Sequence, residues 1–486
     1  MAIEGLNSLR KLEFLDLSYN RIIKIEGLNM LEKLCNLNLF SNEIKEIKGL
    51  EWLDELHKLN LSDNKIVDIQ GLDNLKRLKN LNLSSNEIIK IKGLKNLKRL
   101  NTLDLSFNLI REIKGLDQLV ELEDLNLYDN KIDEITGLDK LSKLKCLNLG
   151  KLSENSKIEE IKGLDKLNKL EDLNLCKNKI GNIINLKYNL KLKNLNLSKN
   201  ENISIEGIKE LTHLEALDLG YTNRKELGEE IQLLTNLKEL YLRSNEKISI
   251  EGIKNLTNLE VLDLGYTNRK ELGEIKKLDN LKELYLYNNN LISMKGIENL
   301  KKLEILNLSN NEIEKVENIK GLNNLKSIYN LKVLDLSHNK ITSMNGIENL
   351  YKLKVLYLMN NKIYKLCNLN DLLQLEYLIL DKNKISDISK IPVKIKYIDL
   401  GIQEIDLKDY KNTENKYSLN TSFIKLRGGE DLDIDYILEN GKYDNHTKTI
   451  IWENLSTDKL QFEFNNIEDD WMNFSGIVNI CLVDKI

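Results

Sequence analysis

Along most of the chain, leucine and isoleucine recur in one fixed frame with polar residues between them. "LEFLDLSYNRI", "LCNLNLFSNEI", "LHKLNLSDNKI", "LKNLNLSSNEI", "LNTLDLSFNLI" and "LEDLNLYDNKI" all follow LxxLxLxxNxI. The asparagines of these six units, Asn20, Asn42, Asn64, Asn86, Asn108 and Asn130, are each 22 positions apart. The second leucine of the frame continues at Leu147, Leu173, Leu195, Leu217, Leu240, Leu262, Leu284, Leu306, Leu334, Leu356 and Leu378, for seventeen units in all. The alternation within LxL has the period of a short strand with one buried face, and the following "IxxIxGL" turns the chain back through glycines such as Gly27, Gly49, Gly71 and Gly93. The Asn after each strand is expected to turn inward and bond backbone groups that water cannot reach. One unit cannot cover its own leucines, so stacked neighbours must supply the core.

Register slips three times. Four residues are inserted around "GKLSENSK", one near Glu229 and six within "NIKGLNNLKSIYNL", and all three insertions are expected as loops. The stretch "LDLGYTNRKELGE" occurs twice, at 217–229 and 262–274, inside a longer match offset by 45 residues. The match includes the flanking turns, so duplication of a two-unit block explains it better than selection for a site. Two copies facing the same way, about 10 Å apart along a stack of strands, cannot converge on one reacting atom. In both copies a threonine, Thr222 or Thr267, stands in for the inward Asn.

The frame resembles the 22-residue class of leucine-rich repeats found in internalins and in the regulatory subunit of type-1 protein phosphatases. That resemblance implies an α/β curved solenoid, with a parallel β-sheet on its concave face and short helices or 3-10 turns on its convex face. It covers residues 1–390, about 17 units, with one more weak unit around Ile398.

Residues 391–486 carry 11 Lys and Arg against 18 Asp and Glu, an acidic balance absent from the repeats. Here "SFIKLR", "DLDIDYIL", "KTIIWENL", "LQFEFNN" and "FSGIVNICLVD" read as short strands of a small β-sandwich. Gly441, Tyr443, Asp444, Trp452, Phe474 and Gly476 resemble the immunoglobulin-like module that follows the repeats in internalins. Asp431, Asp433 and Asp435 alternate and would share one face of a strand, the arrangement a calcium site at acidic turns would need.

Composition removes several function classes. With 72 basic against 76 acidic residues, no field of one sign exists to hold nucleic acid or an anionic membrane. Five scattered cysteines, Cys35, Cys146, Cys176, Cys367 and Cys481, form no CxxC pair and so no disulfide framework or zinc cluster. The four histidines lie in separate units, and GxSxG, HExxH and phosphate-cradling loops are missing. Paired carboxylates such as Asp469 and Asp470 read as solvated surface. The expectation is a non-enzymatic protein without cofactor or metal, monomeric and not inserted in a membrane. No signal peptide opens the sequence, which fits a cytoplasmic location as it stands; a start inside a repeat fits a truncated surface or secreted protein.

The strand positions pointing away from the core offer a candidate site. In the first nine units the residue inside LxL is Asp or Asn throughout. From the eleventh unit it becomes Tyr241, Tyr285, Tyr357 and Ile379, with Val261, Ile305, Val333, Val355 and Tyr377 before it and Tyr287 and Met359 after it. Exposed aromatic and aliphatic side chains on a sheet face point to a protein partner. The binding site is therefore expected at Tyr241, Val261, Tyr285, Tyr287, Ile305, Val333, Val355, Tyr357, Met359 and Tyr377. This design is similar to an internalin-like adhesin; the alternative is an intracellular scaffold or phosphatase regulator.

Overall fold

The computed structural model describes residues 3–152, 158–316, 330–392, 394–410, 415–427, 432–468 and 472–483. Two of the three insertions fall largely on 153–157 and 317–329, outside the described residues. The chain forms two compact units, Met1–Leu259 and Glu260–Ile486.

In the first unit the LxL segments are three-residue strands from Phe14–Asp16 to Glu239–Tyr241, and each pairs in parallel with the next. The leucine inside the strand and the one after it face inward; Leu81, Leu83, Leu103 and Leu105 are at most 2% exposed. Strands are this short because the frame gives the chain only three residues before the inward asparagine bends it. The residue before that asparagine is left-handed in every such turn, as at Ser41, Asp63, Ser85 and Phe107, with φ of 53–54°.

The asparagines stitch the turns together as the frame implies. Asn108 Oδ1 accepts from the Ile88 backbone N–H at 3.0 Å, and its Nδ2 donates to the carbonyls of Leu83, Leu105 and Ser106 at 2.9, 3.0 and 3.1 Å. Two of these four bonds reach the preceding turn, so the side chain fixes stacking as well as its own bend. Thr222 keeps part of this role, donating to the Leu219 carbonyl at 2.7 Å. Asn108→Ala is expected to cost about 2–4 kcal/mol, because it leaves the buried Ile88 N–H unpaired, and Asn108→Thr clearly less. Denaturation midpoints of the two variants check this order.

Two further substitutions break the frame. In the duplicated segment its isoleucine becomes Arg224 and Arg269. Arg224 Nη1 donates to the Ile203 carbonyl at 2.7 Å, and burial lowers the pKa of both guanidinium groups, that of Arg269 to about 10. Asn189 stands where neighbouring turns have leucine and is fully buried. Its Nδ2 donates to the Leu164 and Leu167 carbonyls, but no described residue partners its Oδ1. Those two carbonyls also accept from the Leu167 and Leu170 N–H groups. Asn189→Leu therefore removes an unsatisfied polar atom without orphaning another, and is expected to stabilise the protein by about 1 kcal/mol or more, read as a raised thermal midpoint.

From Glu123 to Lys332 the residue just before the strand alternates between Glu and Lys over successive turns. Glu123–Lys145, Glu171–Lys193 and Glu215–Lys238 are each 2.7 Å apart in the first unit; Glu260–Lys282 and Glu304–Lys332, at 2.8 and 2.6 Å, continue the pattern in the second. Each exposed pair is worth little. Its period of two turns, however, matches the duplicated block and supports growth of the chain by two-turn copies.

In the second unit the ladder runs from Val261–Asp263 through Tyr377–Ile379, with 3-10 turns such as Ile297–Asn299 and Ile347–Asn349 on the side opposite the strands. It continues into Tyr397–Tyr410, where Leu378 pairs with Ile398. Here Gln403 replaces the inward Asn: its Oε1 accepts from the Ile385 N–H at 2.9 Å and its Nε2 donates to the Leu380 and Leu400 carbonyls.

The same long strand pairs in parallel with Met472–Val483, which pairs antiparallel with Lys459–Glu468, next to Ile434–Ile437. A separate three-stranded sheet orders Tyr417–Asn420, Thr449–Trp452 and Lys442–Asp444. Trp452, Phe462, Phe464 and Phe474 are buried among these strands, and the Trp452 Nε1 donates to the Leu438 carbonyl at 2.8 Å. Gly441 is required there, since an added Cβ would lie 2.6 Å from that indole nitrogen. Four of the five strands expected in this region form. "SFIKLR" does not: Ile424 N–H closes a turn onto Thr421, and only Lys425 bridges, to Asp387. Its alternating Ile424 and Leu426 are buried from a turn rather than a strand.

Candidate functional site

Strand register sets out the outward face of the second unit in two columns. The first reads Val261, Glu283, Ile305, Val333, Val355, Tyr377 and Tyr397. The second reads Asp263, Tyr285, Asn307, Asp335, Tyr357, Ile379 and Asp399 on the same strands. Successive rungs are about 4.8 Å apart, so the column extends for about 29 Å; Glu283 interrupts it, and the unbroken apolar run from Ile305 to Tyr397 covers about 19 Å. Nine of the ten expected site residues lie on this unit. Tyr241 lies on the first.

Val261, Ile305, Val333 and Val355 are half-buried against their neighbours, while Tyr357 and Tyr377 are 38% and 44% exposed. Tyr377 stacks on Tyr397 with ring centroids 6.4 Å apart instead of burying itself against the terminal strands. Tyr285 is braced by its own strand, its hydroxyl donating to Glu283 Oε2 at 2.8 Å. Burial and that carboxylate push its pKa up to about 12. Tyr241 repeats the arrangement on Glu239 at 2.9 Å. Tyr287 lies flat over Gly265, where an added Cβ would fall 2.3 Å from the ring, and meets Tyr266 edge-on at 5.6 Å. These contacts hold the rings in fixed orientations.

Two neighbours of this stripe were not singled out in the sequence. Tyr397 extends the apolar column by one rung, and the frame around Ile398 already placed it there. The Asp381 carboxyl is raised by burial and by the nearby Asp399, and no described residue partners its Oδ1. With Asp335 and Asp399 it gives the stripe an acidic border.

His338 Nδ1 pairs with the Asn360 carboxamide at 2.8 Å, and His213 and His446 are exposed. All five cysteines are free thiols. Burial and Asp172 push the Cys146 thiol up to about 12, away from the thiolate a nucleophile needs. Among the described residues no three His, Cys, Asp or Glu side chains form a metal-holding group, and no helix is long and apolar enough to cross a membrane. Asp431, Asp469 and Asp470 lie outside the described residues.

A family model described as a leucine-rich repeat region matches residues 172–291, and a second, for leucine-rich repeats in two copies, matches 54–96, 76–118, 279–321 and 329–373. No curated protein matches in sequence. Among solved structures, a leucine-rich repeat protein of Leptospira interrogans is 28% identical with a TM-score of 0.64, the alignment covering 78% of this chain and 99% of that one. The TLR13 chain of a complex with a single-stranded RNA is 27% identical, with a TM-score of 0.56 and coverage of 80% and 66%. The functional domain of the internalin InlJ from Listeria monocytogenes is 21% identical, with a TM-score of 0.47 and coverage of 98% and 91%.

Proposed function

Because the chain is a leucine-rich repeat protein, we propose that it is a non-enzymatic recognition module whose second unit holds a protein partner on its strand face. The observation that carries this reading is the run Ile305, Val333, Val355, Tyr377 and Tyr397 in a column where the first unit is mostly polar or charged. Apolar groups set out over about 19 Å in water are stabilised when a partner covers them. The partner supplies an apolar ridge to the column and basic groups to Asp335, Asp381 and Asp399. In this reading the chain is an internalin-like binding protein; a cytosolic scaffold similar to the phosphatase regulator would use the same face. The RNA bound by TLR13 is not carried over, since the carboxylates on both strand faces repel phosphate.

The experiment is a quantitative pull-down with the wild-type chain, Tyr285→Ala/Tyr357→Ala and Asn60→Ala/Asn82→Ala as baits. A protein held by the wild type and the Asn variant but lost from the Tyr variant supports the face. Identical retention by all three contradicts it.

A further inference from the structure

A second feature lies wholly in the first unit, and of the ten expected site residues Tyr241 alone lines it. Its outward strand residues form an open trough of about 1170 Å³, running from Phe14 to Arg243. Along its floor, register aligns Asn38, Asn60, Asn82, Asp104, Asn126, Asn148, Asn174, Asn196 and Asp218. The side-chain oxygens are turned back onto their own strands. Asn60 Oδ1 accepts from the Ser62 N–H and hydroxyl at 3.1 and 2.6 Å, and Asn82 Oδ1 from the Ser84 N–H at 2.9 Å. Asn148 Oδ1 accepts from the Gly150 N–H at 3.2 Å, and Asn196 Oδ1 from Ser198 at 3.0 and 2.7 Å. With the oxygen committed, each Nδ2 is left as a donor to the trough, and no described residue accepts from these four. Asn38 and Asn126 donate their Nδ2 to Asp16 and Asp104, at 3.0 and 3.2 Å, so the donors left to the trough are Asn60 and Asn82 on neighbouring rungs and Asn148 and Asn196 two rungs apart.

Charge narrows what can accept those donors. Asp104, Asp124 and Asp172 stand on the trough's central rungs, and no described lysine or arginine pairs with them. Among the lining residues the cations are Lys58 and Arg243, and Arg243 lies 3.4 Å from Asp218. A polyanion is repelled from the middle of the trough, whereas a chain with carbonyl acceptors and positive side chains is matched there. Spacing narrows it further. An extended β-strand repeats a face about every 6.7 Å, out of step with the rungs. A polyproline II chain repeats a face every three residues, about 9.3 Å, close to two rungs at about 9.6 Å, and its carbonyls have no internal partners. Asn148 and Asn196 are two rungs apart.

We propose that this trough binds an extended, lysine- or arginine-bearing peptide in the polyproline II conformation, with Asn148 and Asn196 donating to its carbonyls and Asp104, Asp124 and Asp172 receiving its cations. The site stands apart from the protein-binding face of the second unit.

The test uses the full chain and a fluorescein-labelled Pro-Pro-Lys repeat of about twelve residues, read by anisotropy. Saturable binding is expected, weakened about tenfold or more by Asn148→Ala/Asn196→Ala, equivalent to about 1.4 kcal/mol. Asp124→Asn/Asp172→Asn should weaken it and flatten its salt dependence, while Tyr285→Ala/Tyr357→Ala should leave it unchanged. Circular dichroism establishes that each variant is folded. A Gly-Ser-Lys repeat of equal length and charge should bind more weakly and a Pro-Pro-Glu repeat not at all. Equal binding of the Gly-Ser-Lys repeat, indifference to the Asn substitutions, or no binding of the Pro-Pro-Lys repeat overturns the proposal. So does Asn-dependent binding of cellopentaose, which would make the trough a glycan site.

Discussion

Gly71→Ala is expected to cost the fold more than about 3 kcal/mol, out of proportion to one methyl group. Gly71 has a φ of 84°, where an L side chain costs about 1–2 kcal/mol. Its added Cβ would also lie 2.1 Å from the Ile47 carbonyl oxygen of the preceding turn. That oxygen belongs to the stacked backbone and cannot swing aside as a side chain could, so neighbouring turns must separate and lose buried contact between leucines. Gly207 is the control: its φ of 85° carries the same intrinsic strain, but nothing lies within 4 Å of the position a Cβ would take. Gly207→Ala should cost only the conformational part, about 1–2 kcal/mol. Thermal or denaturant unfolding of the two variants separates backbone strain from the closeness of the stack; equal losses would show that the steric contact relaxes freely.

The repeat fold was legible because one frame recurs, so each unit repeats the evidence of the last. The inward role of Asn108 and its relatives followed from burial alone, since a turn without water must find its donors and acceptors within the chain. What the frame did not show was chemistry replacing a frame residue by an unlike one. Gln403 does the work of an asparagine from a strand that also belongs to the terminal sheet. Arg224 and Arg269 occupy isoleucine positions, where burial lowers the pKa of both guanidinium groups and Arg224 Nη1 reaches the Ile203 carbonyl. "SFIKLR" alternates like a strand but is held as a turn, because Thr421 rather than a neighbouring strand takes the Ile424 N–H.

The candidate face was legible to a similar depth. Alternation in LxL told which residues point outward, and the change from Asn to Tyr, Val and Ile told where the surface changes character. It did not tell which rings are braced. The Tyr285 hydroxyl on Glu283 depends on side-chain reach along one strand, and the Tyr287 ring over Gly265 and the contact of Tyr377 with Tyr397 depend on neighbours one turn away, 20 or more residues distant in sequence. The donor row of the first unit was hidden for a similar reason. Its asparagines read as uniformly small and polar until the structure showed the oxygens of Asn60, Asn82, Asn148 and Asn196 committed and their nitrogens without an acceptor among the described residues.

The central claim, that the second unit recognises a protein through its strand face, is tested most directly by affinity. The protein retained by the wild-type chain is titrated against the wild type, Tyr285→Ala/Tyr357→Ala and Leu306→Ala, with the unfolding midpoint of each measured in parallel. Tyr285 and Tyr357 leave no core cavity when truncated, so their loss should cost folding within about 1 kcal/mol and binding about 2 kcal/mol or more. Leu306 is fully buried, and its truncation should cost about 2–5 kcal/mol of stability. Weakened binding with an unmoved midpoint in the tyrosine variant is the result this account predicts; undiminished affinity in a folded tyrosine variant would contradict it.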